Sequence, residues 1–261
     1  MSGPNPIAVA WSVANVLLRV REPAWRVAPD NLVPVDQAYL AGVLSRLAES
    51  GIRALRSGSD DLDVYLSELS EVDPDSLSRD AALAFWINMY NGGALRLAAR
   101  AGELGAESVL RIPGGFSAPF VHIRGEALSL DGIEHGKIRR FGDPRVHGAL
   151  VCGSVSCPTL RPTPYTGAGL DQELDDQMRM FMSGGGALRV GDDLAVSRVF
   201  KWFGGDFTRP ESMPTWVPGS KRNLVRAIQP FLPDDLLAWI TASDPRIVYQ
   251  PYDWGLRCSI G

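Results

Sequence analysis

From Ser78 to Ala101 the chain carries a long helical pattern, and between Ala81 and Ile87 it is apolar on every side. A helix with no polar face cannot lie on a surface, so the other elements must be laid around it. Gly102 is the expected stop. Asn88 and Asn91 sit inside this run, three residues apart and on one face. A buried amide left without partners costs about 1–3 kcal/mol. The two therefore either tie neighbouring loops together or orient groups in a site, which makes them candidate substrate-binding residues.

The remaining pattern is mostly helical. Ile7 to Val20 reads as a first amphipathic helix, followed by a Pro-rich link with Pro23, Pro29 and Pro34. Helical spacing runs from Val35 to Leu69 and is broken at Asp73-Pro74-Asp75. Phe116 to Ile123 reads as a strand with a turn at Gly125-Glu126, and Ser129 caps a helix running through Ile133 to Arg140. Arg145 to Cys152 reads as a buried strand, Gly153 to Ser156 as a loop, and Pro158 as the opening of a brief helical turn capped by Cys157. Thr166 opens a helix whose stripe is Leu170, Leu174, Met178 and Phe181. Ala187–Val190 and Leu194–Ser197 flank Gly191-Asp192-Asp193 as a hairpin. Helices at Val199–Phe207, Ser220–Phe231 and Asp234–Thr241 follow, then a strand at Arg246–Tyr249. Strands so few and so irregularly interleaved predict an α+β fold, a helix-rich single domain around a small, mostly antiparallel sheet. Residues 1–34 form its N-terminal helix and linker, and residues 35–261 the domain itself.

Charge and cysteine usage narrow the function. With a net charge of −4 and scattered arginines, the chain has no basic block that would track a nucleic-acid backbone. The N-terminal apolar run is too short to span a bilayer and lacks the basic residues of a signal sequence. Three cysteines make no disulfide framework and point to a reducing, cytoplasmic setting. No nucleic acid, membrane or cofactor is expected, and oligomeric state is left open.

Reactive chemistry concentrates in DPRVHGALVCGSVSCPTL, which brings His147, Cys152 and Cys157 within eleven residues. A thiol becomes nucleophilic when an imidazole or a helix N-terminus lowers its pKa. Cys157, as the cap before Pro158, is the favoured nucleophile, whereas Cys152 ends a buried strand, where burial would make it inert. His135 is the favoured base, its ring held by Asp131 or Glu134, with His147 competing. On a regular strand His147 and Cys152 face opposite ways, which argues against their direct pairing. A zinc site would use His147-x4-Cys152-x4-Cys157 with His135, a spacing at the loose end for that metal. Plain burial of both thiols is the third reading. Lys201 and Trp202 with Asp206 are candidates for a substrate cleft, though such a group is more often a half-exposed helix face. Tyr252-Asp253-Trp254 either orients an imidazole or docks the C-terminal segment through backbone hydrogen bonds to Asp253. His122 is expected at the surface and Cys258 as a bystander.

Five segments resemble the family called domain of unknown function 547: AFWINMYN (84–91), LSLDGIEHGKIR (128–139), DPRVHGALVCGSVSCPTLR (143–161), VFKWFGGDF (199–207) and YDWGL (252–256). The resemblance extends over roughly residues 35 to 257. Gly148 stands where the family usually carries a bulky residue, and Gly204-Gly205 replaces a more polar pair. The resemblance implies that Glu134, His135, His147, Cys152 and Cys157 fall within the family's most recognisable motifs, but it brings no settled activity. Cys152-Gly153-Ser154 also resembles the loop around the papain nucleophile, so a papain- or transglutaminase-like fold is expected. The functional expectation is a cysteine-dependent acyl-transfer enzyme acting on a small-molecule or peptide amide, ester or thioester. The alternatives are a non-catalytic binding or scaffold module and a zinc-binding domain.

Overall fold

The computed structural model describes residues 6–25, 35–215 and 217–261. Its organising element is the central helix the sequence predicts. The helices in chain order are α1 (Pro6–Arg19), α2 (Ala38–Ser50), α3 (Leu55–Ser70), α4 (Arg79–Glu103), α5 (Leu130–Gly136), α6 (Val146–Ala149), α7 (Leu170–Phe181), α8 (Val199–Thr208), α9 (Lys221–Ile228) and α10 (Asp234–Ser243). Helix α4 begins at Ser78, whose hydroxyl accepts from the Ala81 N–H at 3.3 Å. Phe85, Trp86, Ile87 and Met89 on it are all buried to 1% exposure or less. At about 1.5–3 kcal/mol for each large apolar side chain removed from water, this helix is the main source of core burial. Helix α3 packs its Leu-rich face against it, and α2 packs in turn on α3. At the other end, α1 leans on α5, where Val20 lies so close that a Cβ at Gly136 would strike it.

The structure is α+β, and the sheet component is divided in two. Strands β1 (Val121–Ile123) and β2 (Glu126–Leu128) form an antiparallel hairpin. Strands β3 (Ala187–Val190), β4 (Asp193–Val196) and β5 (Arg246–Tyr249) form a mixed sheet in the order β3-β4-β5, antiparallel then parallel. This second sheet, with α8, α9 and α10, encloses a second apolar cluster around Val196, Phe200, Leu224 and Ile228. The expectation of one sheet is corrected accordingly. Each hairpin is too short to bury its own face and needs a separate helical cover.

Two local expectations around the cysteines also change. Arg145 to Cys152 is not a strand, because Val146–Ala149 coils into the single turn α6 before Leu150 extends. His147 and Cys152 are therefore not set on opposite faces by strand alternation. No helical turn follows Cys157; its N–H closes a tight turn onto the Ser154 carbonyl at 3.2 Å, and Pro158 continues irregularly. Ser129, by contrast, caps α5 as expected, accepting from the Gly132 N–H at 3.0 Å. The helix it starts stops at Gly136, and a 3-10 turn carries the chain through Ile138–Phe141. Of the expected Pro-rich link, Pro29 and Pro34 lie outside the described residues.

Candidate active site

A cavity of about 230 Å³ opens between α4, α5, α8 and the loop that follows α6. Asp131, Glu134, His135, His147, Cys152 and Cys157 line it together. Tyr90, Phe116, Trp202, Phe203, Tyr252 and Trp254 supply its aromatic walls. Six separate stretches of the sequence thus meet at one concavity.

The amides of α4 position the loop. Asn91 donates to the Ala149 carbonyl at 3.0 Å and accepts from the Val151 N–H at 3.1 Å, so its amide pairs with this segment as a neighbouring strand would. Asn88 makes the same double contact with Tyr165, at 2.8 and 2.9 Å. With both amides engaged in this way, Asn91 holds the backbone leading into Cys152 and Asn88 that of Tyr165, and neither lines the cavity, which corrects their candidacy as substrate contacts.

The two sulfurs are partners. The Cys152 N–H donates to Cys157 Sγ at 2.9 Å, and Cys152 Sγ lies 3.0 Å from Ser154 Oγ and 3.3 Å from the Tyr252 hydroxyl. The Ser154 and Tyr252 hydroxyl oxygens lie 2.9 Å from each other. The thiol of Cys157 hydrogen-bonds the Cys152 sulfur, and this contact, outweighing burial and aided by the two hydroxyls, pulls the Cys152 pKa down to about 6. Burial pushes Cys157 well up, and the charge on Cys152 pushes it further. Cys157 is the expected nucleophile, but the direction of these shifts favours Cys152 as the more acidic sulfur, while Cys157 Sγ also reaches the Leu150 carbonyl at 3.8 Å. Cys157 sits at no helix N-terminus that could have helped it. Cys258 is buried, with its pKa pushed up to about 12 by desolvation.

Behind the cavity lies an ionic cluster. Arg139 forks onto Asp206, with Nε to Oδ2 at 2.8 Å and a terminal nitrogen to Oδ1 at 3.0 Å. Asp206 Oδ2 also lies 2.8 Å from His147 Nε2, and its Oδ1 accepts from the Thr215 N–H at 3.0 Å. Burial opposes charge on Asp206, but hydrogen bonds from His147 and Arg139 overcome it and hold the carboxyl well below the usual range. His147 is itself depressed, first by burial and also by Arg139, against the pull of Asp206. Arg139 already matches the single negative charge of Asp206, so His147 is the neutral member. Its Nε2 carries the proton toward the carboxylate, leaving Nδ1 with a free lone pair. Phe203 stacks on the ring at 4.1 Å and fixes its plane.

His135 is placed differently from expectation. Its Nδ1 lies 3.2 Å from an Arg139 nitrogen and 3.9 Å from Glu134 Oε1. Arginine can only donate, so Nδ1 accepts and Nε2 bears the hydrogen. Burial and the neighbouring cation hold this imidazole well below its ordinary pKa. No carboxylate holds the ring in the tautomer a base requires, and among the described residues no imidazole nitrogen hydrogen-bonds either cavity thiol. Glu134 accepts from the Tyr90 hydroxyl at 3.1 Å, and desolvation raises its pKa to about 7; Asp131 rises to about 6 for the same reason.

Of the remaining candidates, Trp202 lines the cavity and Lys201 is exposed away from it. Asp206 is not on a half-exposed face but fully buried. The sequence signal for it is partial: a carboxylate buried within VFKWFGGDF must find a cation, and the folded chain supplies Arg139. Asp253 docks the C-terminal segment, its carboxylate accepting from the Gly255 N–H at 2.8 Å and its N–H donating to Ser156 at 2.9 Å. His122 is exposed on β1. Among the described residues, no group of three His, Cys, Asp or Glu side chains is arranged to hold a metal ion. None of the described helices is long and apolar enough to cross a membrane.

Residues 74–182 match the model of the family described as Protein of unknown function, DUF547. This stretch of the chain is similar to DUF547. It carries α4 through α7 and so contributes Glu134, His135, His147 and both cavity cysteines. The match is narrower than the extent expected from the five segments, since Asp206, Trp202 and Tyr252 lie beyond the DUF547 stretch. No curated protein matches the chain. No solved structure matches it either, so the papain- or transglutaminase-like expectation rests on the Cys152-Gly153-Ser154 resemblance alone.

Proposed function

We propose that the chain is a cysteine-dependent acyl-transfer enzyme, a hydrolase or transferase of a small amide, ester or thioester, with Cys152 as nucleophile. The observation that carries this reading is the Cys152 sulfur at the wall of a cavity, 3.0 Å from the Ser154 hydroxyl and 3.3 Å from that of Tyr252, surroundings that draw its pKa down. Such a thiolate needs no base to attack a carbonyl. The bond formed is carbon to sulfur, and the negative charge passes to the carbonyl oxygen. The hydroxyls released from the sulfur, Tyr252 and Ser154, are the nearest donors for that oxyanion. Glu134, poised near neutrality, gives its proton to the leaving group. His147, oriented by Asp206, then takes a proton from the water or amine that releases the acyl group. Operation in a reducing, cytoplasmic compartment accords with free thiols.

Incubation with p-nitrophenyl acetate, followed by intact-mass analysis and peptide mapping, tests the reading. An acetyl group on Cys152, formed in a burst and absent from Cys152→Ala, is the expected outcome. No adduct on Cys152, or unchanged ester turnover in Cys152→Ala, would overturn it.

A further inference from the structure

Acyl transfer needs one reactive sulfur, yet this cavity holds two, and the second is placed for chemistry of its own. Cys157 Sγ lies 2.9 Å from the Cys152 nitrogen. An N–Cα bond of about 1.5 Å then brings it within about 4.4 Å of the Cys152 Cα. A disulfide brings the far sulfur to a comparable distance from Cα, since it joins residues whose Cβ atoms are about 3.8 Å apart. The segment between the two cysteines supports the approach. Gly153 takes a φ of 77°, which only glycine adopts without strain, and the Cys157 N–H closes the turn onto Ser154. The C-terminal strap holds the segment from outside through Gly255 to Val155 at 2.9 Å and Arg257 to Gly153 at 3.0 Å. Both sulfurs reach the cavity, so a small oxidant has a route to them, whereas Cys258 is buried away from it.

We propose that Cys152 and Cys157 are an oxidisable dithiol, in which a hydroperoxide oxidises Cys152 and Cys157 resolves the product into an intramolecular disulfide. In the first step the Cys152 sulfur attacks the terminal peroxide oxygen and the O–O bond breaks. The sulfur becomes a sulfenic acid, and the peroxide leaves as water or an alcohol after taking up a proton. In the second step the Cys157 sulfur displaces the hydroxyl; an S–S bond forms and water departs with the Cys157 proton. A dithiol reductant reverses the change by thiol–disulfide exchange. The first step draws on the same thiolate as the proposed acyl chemistry, but the dithiol needs no acyl substrate.

The reduced full-length protein is treated at pH 7 with one equivalent of hydrogen peroxide, alkylated with iodoacetamide and mapped by mass spectrometry. Wild type is expected to yield one peptide holding both Cys152 and Cys157, unalkylated and lighter by two hydrogens than its reduced form, restored by dithiothreitol, with Cys258 unlinked. In Cys157→Ser, dimedone is expected to trap a sulfenic acid on Cys152 that wild type does not accumulate. Circular dichroism of each protein confirms that it is folded. Equal dimedone trapping in wild type and Cys157→Ser, with no internally bridged peptide, would overturn the proposal, as would linkage scrambled onto Cys258. Neither readout involves an ester, so disulfide formation without acetylation of Cys152 would sink only the acyl-transfer reading.

Discussion

Asp206 binds Nε2 of His147 at 2.8 Å through the same oxygen that accepts from Arg139 Nε at 2.8 Å. One buried carboxylate thus sets both the charge balance and the tautomer of the histidine facing the cavity. Removing one member of such a cluster leaves the others charged or polar without partners, and this costs far more than a lost surface pair. Asp206→Ala is expected to destabilise the protein by about 3–5 kcal/mol, read as a lowered midpoint in urea unfolding. A loss under about 1 kcal/mol, the level of an exposed pair, would show that the cluster is not buried in solution.

The reactivity of Cys152 should follow its ionisation. Its pKa, lowered to about 6, predicts an iodoacetamide rate that rises with pH and reaches half its plateau near 6. Cys157→Ala removes the donor that stabilises the thiolate and should move that midpoint upward. A midpoint near the ordinary thiol value in wild type would contradict the assignment of the two sulfurs.

Glu134 makes stability depend on pH with a definite sign. Its pKa rises on folding from 4.5 to about 7, so the folded state retains a proton that the unfolded chain gives up. Its contribution to stability is therefore greatest below about 4.5 and declines as pH climbs to about 7. The slope is at most about 1.4 kcal/mol per pH unit. Glu134→Gln should flatten the wild-type curve across that window, as measured by chemical denaturation at a series of pH values. A difference between the two proteins that stays constant with pH would refute the shift.

Asn91 acts on the site through the backbone. Replacing it with Ala strands the Ala149 carbonyl and the Val151 N–H inside the core, a loss of about 1–3 kcal/mol for each group left unpaired. Alkylation of Cys152 should slow in the same variant while remaining folded by circular dichroism. Stability lost with the alkylation rate unchanged would limit Asn91 to a structural part.

Gly205 marks where α8 meets the loop that carries Thr215. A Cβ there would collide with the Val217 carbonyl, a backbone atom that cannot turn aside, and would push Thr215 from Asp206. Gly148 has a softer neighbour, the flexible Met178 side chain, which replaces the bulky residue expected at that position. Gly205→Ala should therefore lower the melting temperature more than Gly148→Ala does, with overpacking costs of about 1–3 kcal/mol for the first. The reverse order would count against this packing.

The central helix, the Ser129 cap, the β3–β4 hairpin and β5 were legible because periodicity and capping are local properties of the chain. So was the gathering of reactive residues, since Glu134, His135, His147, Cys152 and Cys157 all reach one cavity. Their division of labour was not legible. Which sulfur is ionised depends on a thiol and two hydroxyls, one of them from Tyr252, a hundred residues along the chain. Which histidine has a free lone pair depends on Arg139 and Asp206, brought together from residues 67 apart. Local pattern decides which face of a helix is buried, because a few neighbours suffice to define it. A pKa is decided by every charge and dipole within a few ångströms, and only the folded chain assembles those neighbours.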